Sequence, residues 1–234
     1  MFKRKYWIVI GLYILMQALS VIIPIYLYNQ FQLDYLSSAI YANIVLFFLA
    51  TVAIVSIMWR EIRSESLAHP MNIDKIIGWT ALGLLLAWVG EFAASYFLFE
   101  VVGVDSSSEN SEIIIQIAKM NPLFIVSAAI LGPILEEIIF RKILFGYLNE
   151  KFNVWIAAFV SSLIFGLVHM EMQTLIVYMV MGLVFAYIYW KTKRIIIPIL
   201  VHVSINSFAV LIPLVVNVEK LEKMQEELMI FLNL

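Results

Sequence analysis

Cysteine is absent from the 234 residues, which removes disulfides, thiolate metal sites and a cysteine nucleophile from consideration. Charge is also scarce, because Asp, Glu, Lys and Arg make up only 14% of the chain and the net charge is −2. No basic stripe with interleaved aromatic residues is present, so the sequence predicts no nucleic-acid partner. Any metal ligands would have to come from carboxylates and the three histidines.

Hydrophobic sequence is what the chain has in excess, with 63% hydrophobic residues and a mean hydropathy of +0.96. These values are typical of an integral membrane protein. The apolar windows predict an all-α, polytopic membrane helix bundle of about seven transmembrane helices, forming a single integral membrane domain over residues 1–234. The predicted spans are residues 6–28, 38–59, 76–101, 122–148, 153–171, 173–190 and 194–216.

The positions of Lys and Arg predict how the bundle is oriented. With the N-terminus inside, twelve basic residues lie in inner segments and only Lys119, Lys220 and Lys223 lie outside. Because basic residues near the ends of spans favour the cytoplasm, we expect a cytoplasmic N-terminus in a multi-pass protein of the cell membrane. Two further segments, 105–121 and 218–232, have the pattern of amphipathic helices on the membrane surface.

Polar residues inside the spans are the candidates for function, because an ionisable group within a bilayer is costly unless it is paired or hydrated. They are Glu91, Glu136, Glu137, Arg141, His169, His202 and Asn206. Glu137 and Arg141 are four residues apart, a spacing that predicts an ion pair along one helix. Glu136 lies about 100° further around the helix and is predicted to point elsewhere, without a local partner.

Two more predicted helices carry candidate site residues spaced one turn apart. In "FGLVH" Phe165 precedes His169 by one turn, and in "HVSIN" His202 and Asn206 share a face. The polar faces of three helices can meet only in the bundle interior, where Glu136, His169, His202 and Asn206 would surround a water molecule. Each element taken alone is equally compatible with structure, since histidines pack in cores and Glu–Arg pairs lock helices. Glu91 has no such polar partners on neighbouring helices, so structural packing is its favoured interpretation and lining of a cavity is the alternative.

The residue types exclude several catalytic mechanisms that are known from other proteins. No HExxH metal helix and no GxSxG serine motif occurs, and all three aspartates fall in loops. What remains is a buried carboxylate that activates water with the help of histidine. An alternative gives Glu136, His169 and His202 to a zinc ion as three ligands, with water in the fourth position. The sequence does not separate the two, and we favour the metal-free site, without a cofactor, because the Asn206 amide would otherwise have no role.

Three motifs in order give the chain a family resemblance. "EEIIFR" (136–141) fits EExxxR, "FGLVH" (165–169) fits FxxxH, and "HVSIN" (202–206) fits HxxxN. Residues 122–210 thus resemble the CPBP family of intramembrane endopeptidases, also called the Abi family, which includes type II CAAX prenyl endopeptidases and bacteriocin-processing proteins. The resemblance implies that Glu136 activates water and His169 assists it. It also implies that His202 and Asn206 bind the oxyanion, with Glu137, Arg141 and Phe165 in support.

The expected function is hydrolysis of a peptide bond in a membrane-associated peptide or protein, with a catalytic cavity inside the bilayer. The resemblance implies CAAX-type processing, maturation of a bacteriocin or pheromone peptide, or self-immunity, and the small size is similar to bacterial members. The alternative is a non-catalytic membrane scaffold or regulator, in which the polar cluster only holds helices together. A proton-coupled transporter is a weaker possibility, because the sequence has no visible inverted repeat.

Overall fold

The computed structural model describes residues 2–104 and 108–216, and within these ranges it contains helices and no strands. The all-α, polytopic class is thereby confirmed. The helices are α1 (Arg4–Phe31), α2 (Tyr35–Ala68), α3 (Ile73–Phe97, continued by a π-helical turn at Leu98–Val102), α4 (Glu109–Met120), α5 (Val126–Leu131, Gly132–Glu136, Glu137–Phe145 and Gly146–Lys151 in direct succession), α6 (Val154–Leu167), α7 (Leu175–Thr192) and α8 (Ile196–Val215).

The seven helices other than α4 lie where the seven spans are predicted. Five of them, α1, α2, α3, α7 and α8, are long and apolar enough to cross a membrane. The short helix α4 falls within the predicted surface segment 105–121, and Ser108 caps its N-terminus by accepting a hydrogen bond from the Ser111 N–H. The other predicted surface segment, 218–232, lies outside the described residues.

Helix α6 is shorter than its predicted span of 153–171. It ends at Leu167 after 14 residues, about 21 Å at 1.5 Å per residue, whereas a bilayer core is about 30 Å thick. His169 therefore lies in the turn after the helix, and Met170 adopts a left-handed φ of 59° that turns the chain away from the helix axis. The prediction that placed His169 inside a helical span is wrong by two residues.

Helix α5 changes its hydrogen-bonding pattern three times along its length. Residues Val126–Leu131 and Glu137–Phe145 form π-helical turns, and the α-helical turn Gly132–Glu136 lies between them. Pro133 has no N–H to donate, and the Gly132 N–H bonds the Ser127 carbonyl five residues back. Wide turns of this kind within α-helices are frequent at functional sites. The second change falls between Glu136 and Glu137, at the start of the EEIIFR motif.

Close packing of α3 against α7 and α8 depends on two glycines. A Cβ atom at Gly90 would lie 2.7 Å from Val180 of α7, and one at Gly83 would lie 2.5 Å from Val201 of α8. Small residues let the backbones of membrane helices approach in this way. The contact at Gly90 also fixes the rotation of α3 at the neighbouring residue, Glu91.

Candidate active site

The ion pair expected from the spacing of Glu137 and Arg141 is present in the core. Arg141 Nε lies 3.3 Å from Glu137 Oε2, and both side chains are fully buried. The contact is ionic and is not an aligned hydrogen bond, since the guanidinium nitrogens have no hydrogen-bond acceptor within the described part of the chain. The guanidinium instead lies 4.5 Å from the ring centre of Phe165 and 5.3 Å from that of Phe185. Cation–π attraction to these rings offsets part of the cost of burying the charge.

His202 lies between the two carboxylates of the motif. Its Nδ1 is 2.9 Å from Glu137 Oε1, and its Nε2 is 3.8 Å from Glu136 Oε2. Because an ionised carboxylate can only accept, we assign Nδ1 as the donor to Glu137. The ring of Phe185 stacks beneath the imidazole at 4.6 Å and 24°. Glu136 and Glu137 do leave the helix in different directions, but they meet the same histidine from its two nitrogens.

His169 is held by its own turn and by α7. Its Nδ1 donates to the Phe165 carbonyl oxygen at 2.7 Å, and its ring stacks on Tyr178 at 3.9 Å and 23°. The FxxxH spacing produces this hydrogen bond, because the carbonyl of Phe165 lies one turn before the imidazole. With Nδ1 used in this way, Nε2 is the nitrogen available for chemistry.

A cavity of about 720 Å³ brings the predicted site residues together. Glu136, His169, His202 and Asn206 all line it, together with Phe165. The Asn206 amide donates weakly to the Ala128 carbonyl at 3.4 Å, so it can turn toward a ligand at little cost. Over residues 2–104 and 108–216, no three His, Asp or Glu side chains are placed to hold a metal ion. Glu137 and Arg141 lie behind the cavity wall and do not line it.

Glu171 supports the site from outside the cavity lining, and the sequence did not reveal this role. It lies in the loop between α6 and α7, and its carboxylate accepts from the Asn110 N–H at 2.6 Å, Ser108 Oγ at 2.8 Å, Thr174 Oγ1 at 2.9 Å and Tyr178 OH at 3.0 Å. Burial alone would raise the pKa of the Glu171 carboxyl, but the Asn110 N–H and the three hydroxyls outweigh it. The pKa therefore lies below its ordinary value.

These hydrogen bonds place α4 over the cavity. The Asn110 side chain also donates to the His169 carbonyl at 3.0 Å, and Asn110, Ser111 and Ile114 line the cavity. Segment 105–121 is thus more than a surface helix, since its N-terminal turn is tied to the turn that carries His169. The sequence "HMEMQ" places a carboxylate two residues after His169, but nothing in it pairs that carboxylate with residues 108–110.

Glu91 belongs to the cavity as well. It lines the wall together with Gln17, Asn43 and Ser95 from α1, α2 and α3, and its own side chain remains exposed. This position supports the alternative interpretation of Glu91, as a residue that lines a cavity, over the structural one. The cavity extends from the EEIIFR motif to the first three helices, which carry no motif in the sequence.

The fold and this cavity define an integral membrane protein whose helices enclose an acid–histidine site. A family model described as "Type II CAAX prenyl endopeptidase Rce1-like" matches residues 118–208. The "Membrane-embedded CAAX protease MroQ" of Staphylococcus aureus (strain USA300) is 35% identical over 228 residues, covering 92% of this chain and 91% of its own. The chain therefore belongs to the family of type II CAAX prenyl endopeptidase-like membrane proteases.

A second relative supports the same assignment. The protein named "Putative membrane peptidase YdiL" from Bacillus subtilis (strain 168) is 34% identical over 220 residues, covering 91% of this chain and 90% of its own. Both matches include the first three helices, which lie outside the region that carries the motifs. No solved structure matches the chain significantly.

Proposed function

We propose that this chain is an intramembrane endopeptidase in which the Glu136 carboxylate activates the attacking water. The proposal rests on the position of the His202 imidazole between the carboxylates of Glu136 and Glu137. The Glu136 side chain is 20% exposed in the cavity wall and faces His202 Nε2. Glu137, which is fully buried and paired with Arg141, binds Nδ1 on the other side of the ring. The 3.8 Å between Glu136 Oε2 and His202 Nε2 is too long for a direct hydrogen bond and is a distance that one water can bridge.

The reaction needs one proton to move twice. Glu136 takes a proton from the water as its oxygen attacks the peptide carbonyl carbon, and the carbonyl oxygen becomes an oxyanion. Asn206 Nδ2, and His202 Nε2 when it is protonated, donate to that oxyanion. The tetrahedral intermediate collapses, the C–N bond breaks, and Glu136 returns the proton to the amine that leaves. His169 Nε2 orients the water. No metal ion takes part in this scheme.

The substrate is a peptide segment that enters from the bilayer. A cavity enclosed by apolar helices favours an amphipathic or lipid-associated peptide over a soluble one. The names of the relatives and of the family support CAAX-type processing as one role, and maturation of a bacteriocin or pheromone peptide and self-immunity are the others proposed. We place the N-terminus in the cytoplasm of a bacterial cell, as the distribution of basic residues indicates.

The test is comparative peptidomics of cells that carry the wild-type chain, Glu136→Gln, or Glu150→Gln as a matched control. Glu150 lies on the same helix, is exposed and does not line the cavity. Loss of a positioned general base typically lowers a rate by about 10²–10⁴-fold. We expect Glu136→Gln to accumulate in the membrane at wild-type level and to leave the substrate uncut, while Glu150→Gln processes it normally.

Two results would overturn parts of the proposal. Normal processing by Glu136→Gln would exclude catalysis by this carboxylate and favour the non-catalytic scaffold. Zinc at one equivalent per chain in the purified protein, with activity lost on chelation and restored by zinc, would replace the metal-free mechanism and keep the hydrolase.

A further inference from the structure

Glu91 is an acidic side chain within a membrane-spanning helix that neither the sequence motifs nor the proposed mechanism uses. It lies in the apolar helix Ile73–Val102, lines the cavity and is exposed. Within the described part of the chain it forms no ion pair and accepts no side-chain or backbone hydrogen bond. A carboxylate within a membrane-spanning helix is costly unless it is hydrated or paired, and a cation that enters the cavity would pair with it.

Glu91 lies toward the outer end of the cavity from the proposed base. Gly83 of α3 packs against Val201, the residue before His202, and His202 Nε2 is 3.8 Å from Glu136 Oε2. Glu91 is a further two turns along α3 from Gly83, about 12 Å at 1.5 Å per residue. The packing of Gly90 against Val180 fixes the rotation of α3 at the level of Glu91. A peptide that extends from Glu136 toward the outer end of the cavity therefore passes Glu91.

The described lining of the cavity holds two acidic residues and no lysine or arginine. The acidic residues are Glu91 and Glu136. Arg141, the basic residue of the EEIIFR motif, does not line the cavity, because it is fully buried against Phe165 and paired with Glu137. Gln17, Asn43 and Ser95 add neutral polar groups to the wall near Glu91. A cationic side chain fits this wall, and a free carboxylate would meet no fixed positive charge.

We propose that Glu91 forms a subsite for a Lys or Arg side chain of the substrate, about two turns along α3 from the level of His202. The inference rests on the proposed endopeptidase function and specifies its substrate class: an apolar peptide with a basic residue about four residues from the bond that is cut, since an extended chain rises about 3.3 Å per residue. Charge complementarity then selects among membrane peptides that are otherwise similarly apolar.

The experiment measures binding without cleavage, so that it can fail separately from the proposed function. The probes are fluorescent apolar 12-residue peptides that differ only at the central position, which is Lys, norleucine or Glu. Each is titrated against purified Glu136→Gln protein in lipid nanodiscs, in which Glu91 is the acidic residue that remains among the described residues lining the cavity. The same titrations use three further proteins, which combine Glu136→Gln with Glu91→Gln, with Glu91→Lys, or with Glu100→Gln.

Glu100 provides the matched control, because it lies on the same helix, is exposed and does not line the cavity. We expect Glu136→Gln, alone or with Glu100→Gln, to bind the Lys peptide about tenfold more tightly than the norleucine peptide, a preference equivalent to about 1.4 kcal/mol. Glu91→Gln should abolish the preference and leave binding of the norleucine peptide unchanged, which also shows that the variant is folded. Glu91→Lys should reverse the preference in favour of the Glu peptide.

Two outcomes would overturn the subsite: equal binding of the Lys and norleucine peptides by Glu136→Gln protein, or a Lys preference that survives Glu91→Gln. Neither outcome touches the endopeptidase proposal, which depends on the processing lost in Glu136→Gln cells. Conversely, normal processing in Glu136→Gln cells would exclude water activation by Glu136. A Lys preference that depends on Glu91 would still establish a cation site in the cavity.

Discussion

Glu137 Oε1 lies 2.9 Å from His202 Nδ1, and this contact links the core of the bundle to the cavity. The other carboxylate oxygen of Glu137 faces Arg141, so a single buried residue neutralises a cation and orients an imidazole. In the proposed mechanism His202 needs a partner that fixes its tautomer and its ring orientation. Glu137 is placed to do both from behind the cavity wall, which it does not line.

The first prediction concerns the charge of Glu137. Glu137→Gln leaves the Arg141 guanidinium buried without a counter-ion, and breaking a buried ion pair from one side typically costs about 3–5 kcal/mol. We expect a lower unfolding temperature in detergent, measured by intrinsic fluorescence, together with loss of peptide cleavage. An unchanged unfolding temperature would contradict the assignment of this pair as a buried lock.

The double variant Glu137→Leu/Arg141→Met separates the two roles of Glu137. Replacing a whole buried ion pair with apolar side chains of similar volume is often neutral or stabilising. We expect the double variant to regain much of the stability lost in Glu137→Gln and to remain inactive, since His202 still lacks its acceptor. Recovery of both stability and activity would show that Glu137 acts only through Arg141.

The second prediction concerns the ring beneath His202. Phe185 is fully buried and stacks on the imidazole at 4.6 Å. Phe185→Leu should destabilise the protein by about 1–3 kcal/mol through lost stacking and a small cavity. It should lower kcat more than it raises KM, because His202 gains freedom to tilt. The control is Phe159→Leu on α6, where the ring is 53% exposed and both stability and kinetics should stay near wild type.

The sequence was sufficient for the fold class and for the four motif residues that line the cavity. Apolar windows locate membrane helices well because the bilayer requires every backbone polar group to be bonded within the helix. The spacing of Glu137 and Arg141 predicted their contact because both lie on one helix. Convergence of Glu136, His169, His202 and Asn206 followed from the rule that intramembrane polar groups face the bundle interior.

Contacts between distant segments were not predictable in the same way. Helical periodicity does not predict which imidazole nitrogen contacts which carboxylate. The sequence therefore did not predict that Glu136 and Glu137 lie on opposite sides of the same histidine, His202. The hydrogen bond from the Asn110 N–H to Glu171 joins a surface helix to a loop 61 residues away, and neither segment carries a recognisable pattern. Glu91 has Ser95 one turn away on its own helix, but a serine in a membrane helix is common in packing contacts and does not by itself indicate a cavity.

The third prediction concerns Glu171 and pH. Its pKa is lowered in the folded protein, so the ionised carboxylate stabilises the fold above the ordinary glutamate pKa of about 4.3. This contribution is lost as pH falls through the lower folded-state value. We expect Glu171→Gln to be less stable than wild type near pH 7, with the difference shrinking below about pH 4. Thermal unfolding at a series of pH values measures it.

Glu109→Gln is the control for the charge effect on α4. Glu109 is an exposed acidic residue in the first turn of that helix, and its substitution removes a favourable charge from the N-terminus without loosening the turn that carries His169. Glu171→Gln should also raise KM or lower kcat, because the Asn110 contact to the His169 turn weakens, whereas Glu109→Gln should not. Equal effects of the two substitutions would show that Glu171 only stabilises the N-terminus of α4 and does not position the His169 turn.

The fourth prediction tests Asn206 as a donor to the oxyanion. Removing one such donor typically lowers kcat by about 10²–10³-fold with little change in KM, because the hydrogen bond strengthens only as charge develops on the oxygen. We expect this pattern for Asn206→Ala and a normal unfolding temperature, since the amide makes only the 3.4 Å contact to Ala128. Ser204→Ala on the same helix is the control, because Ser204 Oγ is already bonded to the Leu200 carbonyl. A proportionate rise in KM at constant kcat would instead make Asn206 a residue that binds the ground state, and His202 would then be the only donor left for the oxyanion in this scheme.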